Sequence, residues 1–188
     1  MDYAGQYRRV QARVALVEEH IRCENRHDLE AVMATFGTDA RFDDEPWNDH
    51  RTGPGGVRSY YSELLGALPD LVIEVVRQHV AGDSIVVEVR ILGTHLGPWR
   101  GLPATGRRVR VPLCGVYTFD AADRLAGERI YYDRAAVLHQ LGFFHEPQDG
   151  LGRIITALSH PLSTARAYLL RPSGLKPGFS GTRRSPDT

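Results

Sequence analysis

Asp133 is the residue whose type and position most directly suggest chemistry. It lies in the stretch GERIYYDRAAVLHQLGFF, residues 127–144, where a strand-like pattern changes to a helix-like pattern. An aspartate at such a point can cap the helix by accepting a backbone N–H of the first turn. The same carboxylate, held out of water in an apolar pocket, can have its pKa raised and act as an acid or a base. The sequence leaves both roles open.

Three aromatic residues of the late strands are candidates for the wall of such a pocket. Tyr117, Phe119 and Tyr131 are each predicted to lie on the apolar side of a strand. A phenol in that position can bind an enolate oxygen, although tyrosines of this kind often only pack in the core.

Two further candidates come from the ends of elements. His95 follows the apolar face of the strand SIVVEVRILGTH, so it can line the pocket mouth and bond a substrate carbonyl, or serve as an ordinary hydrogen-bonded strand-end histidine. Trp47 lies in the turn-rich loop DDEPWNDHRTGPGG and can form one wall for a flat aromatic substrate, or cover the end of the core.

Other residues of reactive types are predicted to have structural rather than catalytic roles. Glu88 and Arg90 are two apart on one strand, opposite to its apolar face, so they are predicted to meet solvent or a dimer interface. Cys23 and Cys114 are too few and too distant for a metal knuckle or a disulfide framework. Both are expected to be small buried hydrophobes in a reducing compartment.

Helical periodicity predicts the elements that cover the candidate site. Val10, Val14, Val17 and Ile21 form one stripe of an amphipathic helix, and Asp28 is placed to cap a second, shorter helix. A third helix carries apolar residues at helical spacing from Val57 to Leu68 and stops at Pro69. The last helix, after Asp133, ends at Gly142.

Strand periodicity occupies the segment between the third and last helices. Four runs alternate with period two: residues 71–80, 84–95, 107–119 and 125–132, with TDARF as a short extended segment before them. Helices followed by antiparallel strands indicate an α+β domain, in which a curved sheet encloses an apolar interior under the N-terminal helices. That interior is either solid core or a ligand pocket.

Charge excludes some partners and marks off the C-terminal part. The 188 residues carry 23 basic and 23 acidic side chains, so no overall field attracts nucleic acid. Residues 151–188 carry a surplus of five positive charges, and the stretch HPLSTARAYLLRP predicts a short basic amphipathic helix before a disordered tail. Such a helix can touch an anionic membrane surface, but more often packs on its own domain or a partner subunit. The absence of a signal-like or membrane-spanning run makes a cytoplasmic protein the expectation.

Three segments together resemble a known family. GTHLGPWRGLPATGRRVRVP, the strand pair that follows, and ERIYYDRAAVLHQLG are similar to the SnoaL-like polyketide cyclases, or ester cyclases. These share a cone-shaped fold with nuclear transport factor 2, ketosteroid isomerase and limonene epoxide hydrolase. The resemblance implies such a domain over residues 1–144, with residues 145–188 as an extension.

The resemblance also implies an activity. Family members close a ring of an aromatic polyketide ester by intramolecular aldol condensation without metal or organic cofactor, and the acid/base aspartate of their last strand matches Asp133. The ligand is then a small apolar or aromatic carbonyl compound, and a homodimer formed across the outer face of the sheet is expected. Isomerase or epoxide hydrolase chemistry, and a noncatalytic small-molecule binding module, stay open as alternatives on the same fold.

Overall fold

The computed structural model describes residues 3–145, 150–159, 161–162, 166 and 169. The chain divides into two compact units, residues 1–144 and 145–188. Among the described residues, no helix combines the length and apolar composition that crossing a membrane requires.

Four helices belong to the first unit. Their bounds are α1 Tyr3–Asn25, α2 Leu29–Thr35, α3 Gly53–Ala67 and α4 Arg134–Leu141. Asp28 caps α2 by accepting a hydrogen bond from the Ala31 N–H at 3.0 Å, as its position before an apolar run predicts. Gly142 ends α4 in the left-handed region, with φ of 84°, which also agrees with the sequence.

Six strands form one curved, unclosed sheet. Their bounds are β1 Phe36–Asp44, β2 Asp49–Thr52, β3 Val72–Ala81, β4 Ser84–Thr94, β5 Arg108–Phe119 and β6 Leu125–Tyr132. The spatial order is β2-β1-β6-β5-β4-β3, with a short 3₁₀ helix, Glu45–Trp47, between β1 and β2. This confirms the predicted α+β class with helices covering a curved sheet.

The N-terminal strands differ from the expectation. β1 begins at Phe36, directly after α2, and β2 forms inside the turn-rich loop that contains Trp47. β1 pairs in parallel with β6, so the sheet is not antiparallel throughout. Neither feature follows from local pattern, because β1 and β6 are distant in sequence and their pairing is decided by the closure of the fold.

Cross-strand pairing defines two faces of the sheet, since directly opposed residues point to the same side. One inner row contains Ile85, Tyr117 and Glu128, and the next contains Val87, Gly115 and Ile130. The helices cover this inner face and bury it. The hydrophobic core lies between them, with residues such as Val17, Phe42, Val57, Tyr61, Ile85, Val87 and Leu125 almost fully buried.

A β-bulge corrects one detail of the edge strand. Strict alternation along residues 71–80 would place Val72, Glu74, Val76 and Gln78 together on the outer face. The register shifts between Val75 and Arg77, so Gln78 lies opposite Val87 on the inner side instead. The extra residue of a bulge reverses the facing of everything after it.

The second unit contains a helix, α5, which spans Gly150–Ser159. It precedes the stretch in which the basic amphipathic helix was predicted. Most of that stretch, and the predicted disordered tail beyond Pro172, lie outside the described residues.

The segment between β4 and β5 is anchored against the end of α3 by a close backbone approach. The N–H groups of Leu96 and Gly97 both donate to the carbonyl of Ala67, at 3.0 and 3.2 Å. A methyl group added at Gly97 would lie 2.1 Å from the Gly66 carbonyl oxygen. Only glycine therefore permits this contact.

Replacing Gly97 by alanine is expected to lower the free energy of unfolding by about 1–3 kcal/mol, because the backbones must separate. Gly66→Ala is the matched control: its added methyl group meets no atom within 4 Å, so the helix should gain up to about 1 kcal/mol. Urea denaturation of both variants measures the difference. A Gly97→Ala protein as stable as the parent would show that the approach is not tight.

Candidate active site

A cavity of about 80 Å³ lies between the inner face of the sheet and helices α1, α3 and α4. Its wall is mainly aliphatic and aromatic. Its polar members are the carboxylates of Glu24 and Glu128 and the hydroxyls of Tyr60, Tyr61, Tyr117 and Tyr132. Acids and phenols therefore converge on an otherwise apolar space, which is the usual composition of a small-molecule site.

Glu128 is the centre of a buried polar cluster. Its carboxylate accepts hydrogen bonds from the hydroxyls of Tyr61 at 2.5 Å and Tyr117 at 3.1 Å. His20 Nε2 lies 3.3 Å from Glu128 Oε2. The strand alternation that turns Ile130 inward turns Glu128 inward as well, so β6 itself positions the carboxylate.

The tautomer of His20 follows from its neighbours. Thr35 Oγ1 donates its proton to the Val32 carbonyl at 2.6 Å, so it accepts from His20 Nδ1, which is 2.7 Å away. The other ring nitrogen, Nε2, faces the Tyr61 hydroxyl at 2.9 Å, which is engaged with Glu128. Because Tyr61 has only one proton, a proton on Nε2 would satisfy both the hydroxyl oxygen and the carboxylates.

Glu24 adds a second carboxylate one helical turn after His20, with Oε2 at 3.7 Å from His20 Nε2. Burial raises the pKa of Glu24 to about 8, with the charge of Glu128 adding to the effect and that of His20 opposing it. Burial alone would lower the pKa of His20, but the charges of Glu24 and Glu128 outweigh it and raise that pKa. Both shifts favour the protonated forms of Glu24 and His20.

Two groups of the described residues bring metal-ligand atoms within reach of one another. One is His20, Glu24 and Glu128, and the other is Asp43, Glu45 and His50. The second group is at the sheet surface, where Arg129 already neutralises Asp43 and Glu45 at 3.2 and 3.1 Å. The first group has two carboxylates and one imidazole. Shared protons between these three side chains also explain why they lie together, without a metal ion.

The structure separates the site residues predicted from sequence. Asp133 is exposed and caps α4 by accepting from the Ala136 N–H at 3.1 Å, and it is not part of the cavity wall. Tyr117 lines the cavity. Phe119 packs beside the core under the guanidinium of Arg13, at 4.6 Å, outside the lining.

Tyr131 is a correction. Its side chain is 46% exposed and lies on the outer face, opposite Cys114, while Ile130 and Tyr132 point inward. Of the neighbouring Tyr131 and Tyr132, the sequence pattern predicted that Tyr131 faces inward, whereas Tyr132 is the one that does. A slip of one residue moves a side chain to the other face of the sheet.

The two remaining candidates lie near the site but not on the cavity wall. His95 is fully buried and bonds Thr105 Oγ1 through Nδ1 at 3.1 Å, and burial lowers its pKa. Trp47 packs edge-on against Trp99, at 5.4 Å between ring centroids. Glu88 and Arg90 lie on the outer face in pairs with His79 and Glu74, as expected.

Sequence reasoning missed His20, Glu24 and Glu128, although each carried a signal. His20 and Glu24 are four residues apart on the buried face of α1, next to Val17 and Ile21. Glu128 alternates with Ile130 on β6. Ionisable residues in phase with a core stripe are the pattern that would have found them, because burying them costs free energy unless they are paired.

Comparison with known proteins identifies the relatives of this chain. The family model for SnoaL-like polyketide cyclases matches residues 14–141. No curated protein sequence matches. Among solved structures, AclR from Streptomyces galilaeus is 23% identical with a TM-score of 0.61, covering 70% of this chain and 96% of AclR.

Two other solved structures share the fold. The epoxide hydrolase/cyclase-like enzyme SalBIII is 23% identical with a TM-score of 0.58, covering 66% of this chain and 92% of its own. A protein with a ketosteroid isomerase-like fold from Catenulispora acidiphila is 17% identical with a TM-score of 0.57, covering 68% and 92%. The first unit therefore has the ketosteroid isomerase-like fold.

The pKa of Glu24 makes stability depend on pH in a defined direction. Its folded value of about 8 exceeds the ordinary 4.5, so the folded state keeps a proton that the unfolded state loses. The free energy of unfolding should fall as pH rises from about 5 to about 8, and the raised pKa of His20 acts in the same direction. Glu24→Gln should flatten this decline and exceed the parent in stability above about pH 8.

The control for this variant is Glu18→Gln, which removes an exposed carboxylate from the same helix and should leave the pH dependence unchanged. Urea unfolding across the pH range gives the curves. If Glu24→Gln runs parallel to the parent, Glu24 does not carry a shifted pKa.

Proposed function

Because the chain belongs to the SnoaL-like polyketide cyclase family, we propose that it is an enzyme catalysing aldol-type ring closure, by cofactor-independent acid/base chemistry, of an apolar carbonyl compound. One observation carries the proposal: Glu128 lines an apolar cavity and is held there by two tyrosine hydroxyls and His20.

The proposed reaction needs one group that takes a proton and another that stabilises an oxyanion. Glu128 removes an α-proton, and the C–H electron pair becomes the enolate. Once Glu128 carries that proton, the Tyr117 hydroxyl, which lines the cavity, is free to donate to the enolate oxygen. The enolate carbon then forms a C–C bond with a second carbonyl carbon of the same molecule. The resulting alkoxide recovers the proton from Glu128, so the enzyme ends in its starting state.

The low polarity of the cavity supports this assignment. Apolar side chains such as Ile73, Val89 and Val111 surround the acid, so a substrate there is screened from water. Tyr60, Tyr132 and Trp99 add flat aromatic surface. An apolar or aromatic ligand matches both features, which agrees with the class that the family resemblance implies.

Asp133 is the second candidate for the acid/base role, on the strength of its match to the family pattern. Its carboxylate is exposed and already accepts the Ala136 N–H. Unlike Glu128, Asp133 does not line the cavity, so we rank it second.

A pair of isosteric variants separates the two carboxylates. Glu128→Gln is expected to reduce turnover by a factor on the order of 10² or more, because an amide cannot take the proton. Asp133→Asn should keep turnover near that of the parent and stability within roughly 1 kcal/mol, because asparagine also caps helices. The substrates are a panel of linear polyketide-type esters, with cyclised product measured by mass spectrometry.

The outcomes of this comparison are distinct. Loss of turnover in Asp133→Asn alone would transfer the role to Asp133. If both variants are as active as the parent, neither carboxylate is the catalytic acid/base. If Glu128→Gln fails to fold, Tyr117→Phe tests the same hydrogen bond with less disturbance of charge. A parent that binds panel members without converting them would favour the noncatalytic binding module.

Epoxide-opening chemistry is a second candidate, because an arginine lies between two aspartates beside the cavity. Arg100 bonds Asp44 at 2.7 Å and also Asp49, and SalBIII is an epoxide hydrolase/cyclase-like enzyme. Asp44 and Arg100 do not line the cavity itself. An apolar epoxide added to the substrate panel decides between ring closure by aldol reaction and opening of an epoxide.

We also propose that the protein forms a homodimer across the outer face of the sheet. The half-buried or exposed apolar residues of this face include Val72, Val86, Leu92, Val116 and Tyr131. These apolar residues share the face with charged groups such as Glu88 and Arg90, and they are costly to expose together. A second copy of the chain fits it, because an isologous interface joins a face to itself.

Light scattering should therefore give twice the chain mass of 21.0 kDa. Val116→Lys, in the middle of the face, should shift the protein toward monomer because it would bury an unpaired charge. Val75→Lys is the control, since Val75 is opposite Val89 on the other side of the sheet and is already exposed. A 21.0 kDa particle at all concentrations would contradict the dimer.

A further inference from the structure

The segment between β4 and β5 forms a hairpin that contributes one residue to the cavity wall. Backbone hydrogen bonds join its two arms at the base and at the tip. At the base, His95 and Arg107 are joined by a backbone hydrogen bond of 2.9 Å, and Gly106 donates to the His95 carbonyl at 2.9 Å. At the tip, Trp99 and Leu102 exchange both backbone hydrogen bonds, at 3.0 and 2.8 Å. Trp99 is the tip residue that lines the cavity.

The backbone of this tip is unusual for its sequence. Arg100 has φ of 53° and Gly101 has φ of 76°, so both central residues of a two-residue turn are left-handed. That is the conformation of a type I′ turn, in which asparagine, aspartate and glycine are favoured. An arginine there costs free energy, and its side chain must offset that cost.

The Arg100 side chain offsets it by bridging two other elements. Its guanidinium bonds Asp44 at the end of β1, at 2.7 Å, and Asp49 at the start of β2. It lies between 5.5 and 5.8 Å from the ring centroids of Tyr60, Trp47 and Trp99. The side chain is 11% exposed, so these charge pairs are largely screened from water.

The same aspartate holds two more residues of the cavity wall. The hydroxyls of Tyr60 and Tyr132 each lie 3.3 Å from Asp44 Oδ2, the oxygen that Arg100 also contacts. Tyr60, Tyr132 and Trp99 all line the cavity. The Arg100–Asp44 ion pair therefore helps to hold three aromatic side chains of the cavity wall in place.

The closed arrangement is incompletely satisfied. Asp44 Oδ1 and Arg100 Nε are buried and find no hydrogen-bond partner among the described residues. Buried polar atoms without partners are costly, and exposure to water would relieve that cost. Opening of the tip would lose charge-assisted bonds but satisfy these two atoms.

We infer that the Arg100 pairs with Asp44 and Asp49 form a latch, and that the tip of the hairpin, residues 99–102, opens to admit ligands. The cavity of about 80 Å³ is far below the roughly 300 Å³ of an ordinary small-molecule pocket. Trp99, Tyr60 and Tyr132 then select for flat apolar or aromatic molecules as the tip closes over them. The inference rests on the proposed function only in taking this cavity as the ligand site.

Arg100→Asn is the direct test, because asparagine suits the left-handed turn while it removes the latch. Backbone amide exchange at Trp99 and Leu102 should accelerate by about tenfold or more, as expected for the loss of charge-assisted hydrogen bonds. Asp49→Asn should act in the same direction, and the double variant should add little to Arg100→Asn alone. Arg134→Asn is the control: Arg134 lies over the same Trp47 ring, at 5.1 Å, but from α4.

A second measurement uses the neutral fluorophore N-phenyl-1-naphthylamine as a probe of access. Its association rate should rise by about tenfold in Arg100→Asn and stay at the parent value in Arg134→Asn. Unchanged amide exchange in Arg100→Asn overturns the latch. Faster exchange with an unchanged association rate overturns its role in access. If no variant binds the fluorophore, the ligand site of the proposed function fails, while the exchange data still decide the latch.

Discussion

The burial of Glu128 among Tyr61, Tyr117 and His20 is the interaction on which the first unit is organised. A carboxylate inside an apolar sheet is strongly unfavourable unless donors surround it. Here those donors come from α1, α3 and β5, so the cluster ties two helices to the concave face of the sheet. The position of the helices over the sheet and the polar end of the cavity are consequences of the same set of bonds.

Glu24 makes this cluster more than a structural pair. A single carboxylate and an imidazole would form a static ion pair, but a second carboxylate at 3.7 Å from the ring leaves three groups to share protons. Because the pKa of Glu24 is raised in the folded state, the fold is most stable at a pH where Glu24 keeps its proton.

A second polar cluster, around Asp44 and Arg100, holds other residues of the same cavity wall. The two clusters share the aromatic wall: Tyr61 and Tyr117 bond Glu128, while Tyr60 and Tyr132 bond Asp44. Neighbouring tyrosines on α3 thus serve different carboxylates. The helix α3 therefore contacts both polar clusters.

Periodicity and capping determined much of this fold from sequence alone. β6 was predicted at its observed bounds, Asp28 and Gly142 were identified at helix ends, and the inner row of β4 was assigned correctly, because these features depend on local propensity and on alternation. The resemblance carried by GTHLGPWRGLPATGRRVRVP and ERIYYDRAAVLHQLG identified the family. For Asp133 the sequence left a helix cap and an acid/base role both open, because its position alone could not show whether it faces a pocket.

The site was decided by tertiary structure. His20 and Glu24 are on α1, more than 100 residues before Glu128, and nothing local to either segment indicates that they meet. The phase of β6, which turns Glu128 and Tyr132 inward and Tyr131 outward, is fixed by its register with β5 and β1. A one-residue change of phase alters no local propensity but exchanges the two faces of a strand, so only the packed sheet could choose between them.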